Sequence, residues 1–592
     1  MNVHYDVTLD PARHELGVEL TIDGVPPGEL VLATPTWVPG DYDFEPFGRD
    51  VFDVRATDGA TGAALDVHRR GWPAYTIKVP ARRASDGRVT VRYRAAAASV
   101  EMSEECGVLG DLNGVLLGTR YLRVSAHDGR CTVRYHVPEG WAIHHPSGAT
   151  ALPDRTWEYD SYARLLDTPV SFGRFDTITL EVRGTPFHHV FLTRAQGFDA
   201  HVDRFVDDLC KIAGVYHDIF SGFPFEDYTY VLSFNPNDAW GLEHLTSTMV
   251  GLDPSTFYDA DQYDVSVRVC AHELFHAWNV RRLRPAPLGH LDFERGCFSD
   301  GLWVAEGFTR YYEFLSCTRT AIYTPAQFLS AVTGYYTHLV ALPAYRHVSP
   351  ADASAASYLN HDKYPGRANS AIDYYDAGMV IAFELDATLR IDTDGAQSLD
   401  TVFAAFYETF AGKGAGYTLD DICDLFERCQ PGLGERLRTK AVEPARLTLP
   451  ESLRALGFDV SEGQVPYCGV ILAGDTGPAV YSVLDGSPAS RSGLAAEDTI
   501  VAVDAYPFSL EALSGAVRQG ADVTLDVLRG NQSRRYTVRP GERTALVSLR
   551  WAGTARQAAL IAEWLNRPFA PSSGQPIPLD FYENFHGIET VI

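Results

Sequence analysis

Residues 272–276 read His-Glu-Leu-Phe-His, and they lie inside a helical pattern that runs over 265–283. Side chains four positions apart on a helix project from one face about one turn apart, so the two imidazoles can share one tetrahedral ion. Glu273 is offset from His272 by about 100° of helix rotation, and it can therefore take a proton from a water instead of ligating the ion. This stretch predicts a zinc site on a helix.

A third ligand is expected from a second helix. Glu306 lies downstream in the apolar and aromatic stretch 302–312, where burying a carboxylate is costly unless it meets a positive charge. Three protein ligands leave a fourth position for water, as in catalytic zinc sites, whereas a structural site uses four. We expect one Zn²⁺ per chain, held by His272, His276 and Glu306.

Two further side chains could contact the reacting groups of a peptide. Glu243 is in the turn after a strand with alternating apolar residues at 228–234, and it could bind a substrate ammonium or be a solvated loop carboxylate. Tyr375, in the Tyr-Tyr-Asp-Ala-Gly stretch at 374–378, could donate to an oxyanion or pack in the core with a hydroxyl partner. The sequence alone leaves both choices open.

Three arginines follow the metal-binding helix, at positions 281, 282 and 284. Cations at the C-terminal end of a helix complement its dipole. We therefore expect a structural role for these arginines.

The hydropathy pattern divides the chain into four parts and predicts a multidomain α+β protein. Period-two alternation over 1–183, with Pro/Gly-rich turns, predicts an antiparallel β domain. Three- and four-residue spacing dominates 184–450, which predicts a mostly helical domain with a small sheet at its front. Short strands return over 460–545, and 546–592 is expected to be a C-terminal tail with one helix at 551–565.

The composition excludes several classes of protein. The 592 residues include 50 Lys and Arg against 77 Asp and Glu, a net charge of −27, which argues against binding to nucleic acid. No apolar run reaches the ~18 residues of a membrane span, and the first residues lack the features of an export signal, so a cytoplasmic protein is expected. Nine cysteines without a Cys-x-x-Cys pair predict reduced and mostly buried thiols.

These motifs resemble the glycyl aminopeptidase family, a group of gluzincin-type zinc metallopeptidases that carry a PDZ domain. The similarity covers nearly the whole chain. It rests on five stretches: Trp-Val-Pro-Gly-Asp-Tyr at 37–42, Gly-Leu-Glu-His at 241–244, the metal motif and its continuation at 272–282, Trp-Val-Ala-Glu-Gly at 303–307, and 374–378.

The resemblance implies a thermolysin-like catalytic domain that removes N-terminal residues from peptides, with small ones such as Gly and Ala favoured. It implies zinc at the three ligands named above, with Glu273 as general base, Glu243 at the substrate amine and Tyr375 at the oxyanion. Trp240 stands where the family has Gly, which would narrow the amine site, and Ala377 stands where Lys is usual.

The segment 465–545 resembles a PDZ domain, with Tyr467-Cys468-Gly469-Val470 as the carboxylate-binding loop. Backbone N–H groups in such a loop can hold the C-terminus of a peptide, which makes a C-terminal peptide a possible partner. The chain's own end, Glu-Thr-Val-Ile at 589–592, has the Thr-x-apolar form that some PDZ domains bind. The groove helix expected at 509–518 contains no His to receive Thr590, which argues against self-recognition.

Three functions remain open at this point. The first is a zinc aminopeptidase acting on peptides. The second is a zinc endopeptidase in which Glu243 does not contact a free amine. The third is a PDZ adaptor whose zinc domain is a scaffold, although the presence of the ligands and of Glu273 speaks for an enzyme.

Overall fold

The computed structural model describes residues 1–81, 87–99, 102, 107–125, 127–289, 291–360, 364–412, 414–473, 477–579 and 591–592. These residues form two compact units. The first comprises Met1–Arg282 and Leu288–Cys297, and the second comprises Leu283–Pro287 and Phe298–Ile592.

Two predictions from composition can be checked on these residues. Within the described ranges no cysteine forms a disulfide, and most of the thiols are buried. Among the same residues, no helix combines the length and the apolar character that crossing a bilayer requires.

The first unit consists mainly of strands. Its strands are β1 (Asn2–Asp10), β2 (Glu15–Asp23), β3 (Gly28–Ala33), β4 (Val51–Asp58), β5 (Ala64–Leu65), β6 (Val67–Arg70), β7 (Ala74–Val79), β8 (Val89–Ala96), β9 (Val108–Leu109), β10 (Asn113–Leu116), β11 (Arg123–Val124), β12 (Cys131–His136), β13 (Ala142–His144), β14 (Thr150–Leu152), β15 (Thr156–Tyr159), β16 (Val170–Gly173), β17 (Asp176–Val182), β18 (Thr185–Phe191), β19 (Tyr228–Phe234), β20 (Ala239–Glu243) and β21 (Ser247–Leu252). Its α-helices are α1 (Tyr162–Leu166), α2 (Phe198–Phe220) and α3 (Ala260–Phe275).

The largest sheet of the N-terminal region has the strand order β14-β15-β12-β1-β2-β8-β4-β5. Period-two alternation predicted these strands because one side of each is buried, and the alternate residues of β1, from Val3 to Leu9, are indeed buried. The β-rich N-terminal domain is confirmed, but its pairing is not wholly antiparallel, since β1 and β12 run parallel with Val3 opposite Cys131. Ten strands lie between β1 and β12 along the chain, and a connection of that length permits a parallel pair.

A second sheet, β17-β18-β19-β21-β20, positions the metal motif. Every residue of β19 is buried, as expected for a strand with parallel neighbours on both sides. Two tyrosines fasten α3, since Tyr216 and Tyr230 donate their hydroxyls to the carbonyls of Ala271 and Cys270 at 3.1 and 3.5 Å. The helix predicted over 265–283 ends at Phe275 and is followed by turns.

The second unit begins with helices and ends in a β-rich module. Its helices are α4 (Leu302–Ala305), α5 (Gly307–Arg319), α6 (Pro325–Ala341), α7 (Pro350–Ala355), α8 (Ser357–Asn360), α9 (Arg367–Ser370), α10 (Tyr374–Asp392), α11 (Leu399–Phe410), α12 (Leu419–Cys429), α13 (Leu433–Val442), α14 (Leu449–Leu456), α15 (Pro488–Ser492), α16 (Leu510–Gln519) and α17 (Ala555–Leu565). Its strands are β22 (Phe458–Tyr467), β23 (Val470–Leu472), β24 (Val480–Val483), β25 (Thr499–Val503), β26 (Tyr506–Pro507), β27 (Val523–Arg529), β28 (Gln532–Val538), β29 (Gly541–Trp551) and β30 (Pro576–Ile577).

Helix α17, in the segment expected to be a tail, packs into the helical core of this unit. Trp564 is 1% exposed, and its ring lies 5.2 Å from that of Phe383 on α10. Its indole N–H donates to the Tyr311 hydroxyl at 2.9 Å, and that hydroxyl donates to Asp386 at 2.6 Å. This segment therefore stabilises the helices that carry the candidate site residues.

The β-rich module is an insertion between two long paired strands. β22 and β29 run antiparallel, from Phe458 opposite Trp551 to Tyr467 opposite Gly541. The chain between them folds into a β23-β24 pair and the sheet β26-β25-β27-β28, in which β27 and β28 form a hairpin. The module has its own apolar core around Val470, Leu525 and Val527.

Candidate metal and substrate site

The metal motif is buried at the C-terminal end of α3. His272, Glu273 and His276 are 8%, 4% and 1% exposed, and the two imidazole rings lie 4.5 Å apart at 81° to one another. Nδ1 of His276 lies 2.6 Å from the carbonyl oxygen of Asn279. When Nδ1–H donates to that carbonyl, the lone pair on Nε2 is left for a cation.

The edge strand β20 passes close to this helix because residue 241 is glycine. A Cβ on Gly241 would lie 2.3 Å from the carboxyl carbon of Glu273. Strand alternation puts Glu243 on the same face as Gly241 and puts Trp240 on the opposite face. The Trp240 indole covers Gly251 of β21, where a Cβ would lie 2.1 Å from Nε1. The strand therefore directs Trp240 away from Glu243. The prediction that Trp240 narrows the space around Glu243 is wrong.

Glu243 is a buried carboxylate and not a solvated loop residue. It is 3% exposed, and its Oε1 has no hydrogen-bond partner in the described part of the chain. Gly40, in the 37–42 stretch, has φ +108°, and a Cβ there would lie 2.5 Å from Oε2 of Glu243. One ligand atom each of Glu243, Glu273 and His276 lies within 4.8 Å of the others. Two buried carboxylates at this separation can both be ionised only with a compensating positive charge.

A buried ion pair fixes the turn that follows Glu243. Asp167 accepts a hydrogen bond from the N–H of Leu245 at 2.9 Å, lies 3.4 Å from Nδ1 of His244, and is in contact with the Arg281 guanidinium. Burial by itself raises the pKa of Asp167, but Arg281 and His244 outweigh that effect and hold the pKa at about 2. Asp167 is therefore ionised at neutral pH, and it holds the turn in place.

Arg281 and Arg282 have structural contacts, as predicted, but within the described residues they do not interact with the C-terminal end of a helix. Helix α3 ends before them, and both fold back toward the β20–β21 turn. Arg282 donates to three backbone carbonyls, at 2.7 to 2.9 Å, which belong to Leu245, Ala277 and Pro224. Asp167 lies far from both in sequence, so no local pattern could have indicated this network.

In the second unit, Glu306 separates two helices, where the sequence predicted a single helix across the 302–312 stretch. It is the residue between α4 and α5, with φ −98° and ψ −46°, and it is 2% exposed. The neighbouring helices cross closely, because a Cβ on Gly307 would lie 2.3 Å from Cα of Gly378, and a Cβ on Gly378 would lie 1.9 Å from the carbonyl oxygen of Trp303. The two glycines therefore bring the 303–307 and 374–378 stretches together.

The Tyr375 side chain is held by groups that the sequence did not identify. The Asp373 carboxylate caps α10 and accepts the N–H of Tyr375 at 2.7 Å. The Arg310 guanidinium carbon lies 4.7 Å from the centre of the Tyr375 ring, and Arg310 also forms an ion pair with Asp376. The Tyr374 ring stacks on that of Tyr375 at 4.9 Å. A cation over the ring face stabilises this arrangement. In the sequence, the one indication that Arg310 lies near the site is its position four residues, or about one helical turn, after Glu306.

The three predicted ligands offer a donor set that fits zinc. All three residues are buried, His272 and His276 in the first unit and Glu306 in the second. Two imidazoles and one carboxylate are the ligands of many catalytic zinc sites.

The loop at 467–470 is occupied by the chain's own end. The backbone oxygen of Ile592 accepts hydrogen bonds from the N–H groups of Cys468 and Gly469 at 3.0 and 2.7 Å. The expectation that the chain would not recognise its own end is therefore wrong. Thr590, on which that expectation rested, lies outside the described residues.

Comparison with known proteins agrees with this architecture. Residues 265–381 match the family described as M61 glycyl aminopeptidase, and residues 4–174 match the Peptidase M61 N-terminal domain. No curated protein matches the sequence. A solved aminopeptidase N family protein from Idiomarina loihiensis has a similar fold over 99% of this chain and 100% of its own, at 22% identity and a TM-score of 0.82. An M1 zinc metallopeptidase from Deinococcus radiodurans aligns over 76% of this chain and 94% of its own, at 17% identity and a TM-score of 0.46.

Proposed function

From the premise that this chain belongs to the M61 glycyl aminopeptidase family of peptidases, we propose that it is a zinc-dependent aminopeptidase. It removes N-terminal residues from peptides and favours small ones such as Gly and Ala. Its thermolysin-like catalytic domain spans 184–450, between the N-terminal domain at 1–183 and a PDZ-like module at 460–545 that is followed by the segment 546–592.

The buried carboxylate of Glu243 is the observation that carries this proposal. Its Oε1 has no hydrogen-bond partner in the described residues, and Glu273 is close by. A buried ionised carboxylate is costly without a cation, and the ammonium group of a peptide N-terminus is a cation that can hydrogen-bond to it. A peptide held by its N-terminal amine at a fixed site loses its terminal residue, which makes the enzyme an exopeptidase.

His272, His276 and Glu306 would hold the metal ion. A bound Zn²⁺ would supply a Lewis acid that polarises the scissile carbonyl and increases the acidity of water. The hydrogen bond of His276 to the Asn279 carbonyl supports this assignment, because it orients the imidazole as outer-shell partners orient metal ligands.

The chain's own groups would move the protons and bind the substrate. Glu273 would accept a proton from the attacking water and return it to the departing amine. Tyr375 would donate a hydrogen bond to the oxyanion of the tetrahedral intermediate. Glu243 would fix the distance between the N-terminus and the bond that is cleaved.

The test is hydrolysis of Gly- and Ala-anilides by wild type and by Glu273→Gln, with zinc content measured in both. We expect Glu273→Gln to keep its zinc and to lose about 10²–10⁴-fold in kcat, the usual contribution of a general base. The exposed strand residue Glu181 provides a matched control, since Glu181→Gln should hydrolyse at the wild-type rate. A Glu273→Gln enzyme with full zinc and full rate would refute the mechanism.

A further inference from the structure

The terminal residue of the chain lies in a ring of donors in the C-terminal module. The N–H groups of Cys468, Gly469 and Val470 lie 3.0, 2.7 and 3.3 Å from the backbone oxygen of Ile592, and the Cys468 thiol lies 3.0 Å from the same atom. Gly469 has φ +84°, a conformation that favours glycine and turns successive N–H groups toward one point. Burial raises the pKa of the Cys468 thiol to about 12, so the thiol stays protonated and can donate.

The end of the chain also extends a strand. Ile592 N–H donates to the carbonyl of Val470 at 2.9 Å, and Val591 forms an antiparallel bridge with Ile471 of β23. Addition of a strand to a sheet edge is a common way of binding an extended peptide, because main-chain hydrogen bonds hold the peptide whatever its sequence.

Both terminal side chains are packed. Ile592 is 8% exposed and belongs to the module core, together with Leu513 and Val517 of α16. Val591 packs against a second apolar cluster that includes Leu342 and Leu484. Side-chain pockets of this kind give specificity to an added strand, and here they select a large aliphatic final residue.

We infer that the groove between β23 and α16 is a receptor for a free C-terminal carboxylate on a large aliphatic residue, and that Val591–Ile592 is its resident intramolecular ligand. The inference rests on the PDZ-like module of the proposed function but not on the peptidase chemistry. A tethered ligand has an effective concentration in the millimolar range, so an external peptide must displace it to bind.

The first test measures binding of a fluorescent peptide with the sequence of residues 587–592, Gly-Ile-Glu-Thr-Val-Ile. Fluorescence anisotropy compares the full chain with a chain that lacks 591–592. We expect the shortened chain to bind the peptide at least about tenfold more tightly, because the tethered competitor is gone. Equal affinity of the two chains, or no binding by the shortened chain, would overturn the inference.

A second variant guards against an effect of the deletion on folding. Extending the chain by Gly-Ser after Ile592 keeps every residue but moves the carboxylate, and it should expose the groove as the deletion does. Hydrogen exchange should show the amides of 468–470 protected in wild type without added peptide and unprotected in the extended chain. Equal protection in both chains would contradict a resident ligand.

The loop itself is tested by Gly469→Ala in the shortened chain. A Cβ there would lie 2.2 Å from Cβ of Ser487, so we expect loss of peptide binding. Gly530→Ala is the matched control, because Gly530 has φ +60° and nothing within 4 Å of its Cβ position. Hydrolysis of Ala-anilide measured in parallel separates the two proposals: peptide binding that survives Gly469→Ala counts against the groove alone, and absence of hydrolysis by the unsubstituted chain counts against the peptidase alone.

Discussion

The β20 edge with α3 and the carboxylate loop of the C-terminal module bury polar groups in opposite ways. At β20, Glu243 presents a buried acceptor, Oε1, without a donor in the described residues. In the loop, the N–H groups of Cys468 to Val470 are buried donors, and the oxygen of Ile592 satisfies them. Buried polar groups are nearly always paired, and the partner that we propose for Glu243 is the ammonium group of a substrate. In the loop, an outside ligand would have to displace Ile592 from the same N–H groups.

Asp167 can be compared with Glu243, because it is also a buried carboxylate but is paired with Arg281. Asp167→Asn leaves the buried Arg281 guanidinium without its counter-charge, so we expect a loss of about 3–5 kcal/mol in the free energy of unfolding at neutral pH. The control is Asp218→Asn, in an exposed pair with Arg183 at 2.9 Å, which should cost no more than about 1 kcal/mol. Calorimetry measures the loss in free energy of unfolding for both variants. Equal losses would show that the pair of Asp167 with Arg281 contributes little.

The Asp167 carboxylate also makes the stability of the folded protein depend on pH. The pKa of Asp167 in the folded protein is about 2, below the ordinary ~3.9, so the ionised group stabilises the fold at and above pH ~4. That contribution falls as the pH drops from ~4 to ~2. Over this pH window, the free energy of unfolding of Asp167→Asn should therefore fall less than that of wild type. Parallel plots of the free energy of unfolding against pH for the two proteins would contradict the lowered pKa of Asp167.

A substitution at Tyr375 tests whether its phenol donates the proposed hydrogen bond to the oxyanion. Tyr375→Phe should lower kcat by about 10²–10³-fold with little change in KM, because in the proposed mechanism the phenol binds only the oxyanion. Tyr374 is the comparison, since it is the adjacent phenol and its hydroxyl is buried. Steady-state kinetics on Ala-anilide should leave Tyr374→Phe close to wild type. A larger loss in Tyr374→Phe than in Tyr375→Phe would reverse the assignment.

Gly40 tests the space around Glu243, with the smallest expected effect. A Cβ at this position would lie 2.5 Å from Oε2 of Glu243, so Gly40→Ala should displace the carboxylate and lower kcat/KM by about tenfold, or ~1.4 kcal/mol. Gly28→Ala carries a similar backbone strain, at φ +130°, with nothing within 4 Å, and should leave kcat/KM unchanged. Equal effects of the two variants would attribute the loss to strain and not to Glu243.

Local patterns predicted most of the elements and the metal motif. Alternation of apolar residues predicted β1 because this strand buries one side. The spacing of His272 and His276 predicted a shared helix face because four residues make about one turn. These predictions need only neighbouring residues, and the structure agrees with them.

Contacts between distant residues could not be predicted in this way. The parallel pairing of β1 with β12, the Asp167–Arg281 pair and the close approach of Gly40 to Glu243 each join segments far apart in sequence. The groove was disfavoured as a site for the chain's own end because α16 lacks a His, yet main-chain donors and an apolar pocket hold Ile592 there. Side-chain motifs do not report such backbone interactions.

The central claim is that Glu243 binds the N-terminal ammonium of the substrate. The most direct measurement is kcat/KM for a peptide that begins with Ala, with its N-terminus either unmodified or acetylated, in wild type and in Glu243→Gln. We predict that wild type cleaves the unmodified peptide at least about 30-fold better, since loss of one partner from a buried charge pair costs ~2–5 kcal/mol, and that Glu243→Gln largely removes this preference. Equal cleavage of both peptides by wild type would contradict the account and identify an endopeptidase.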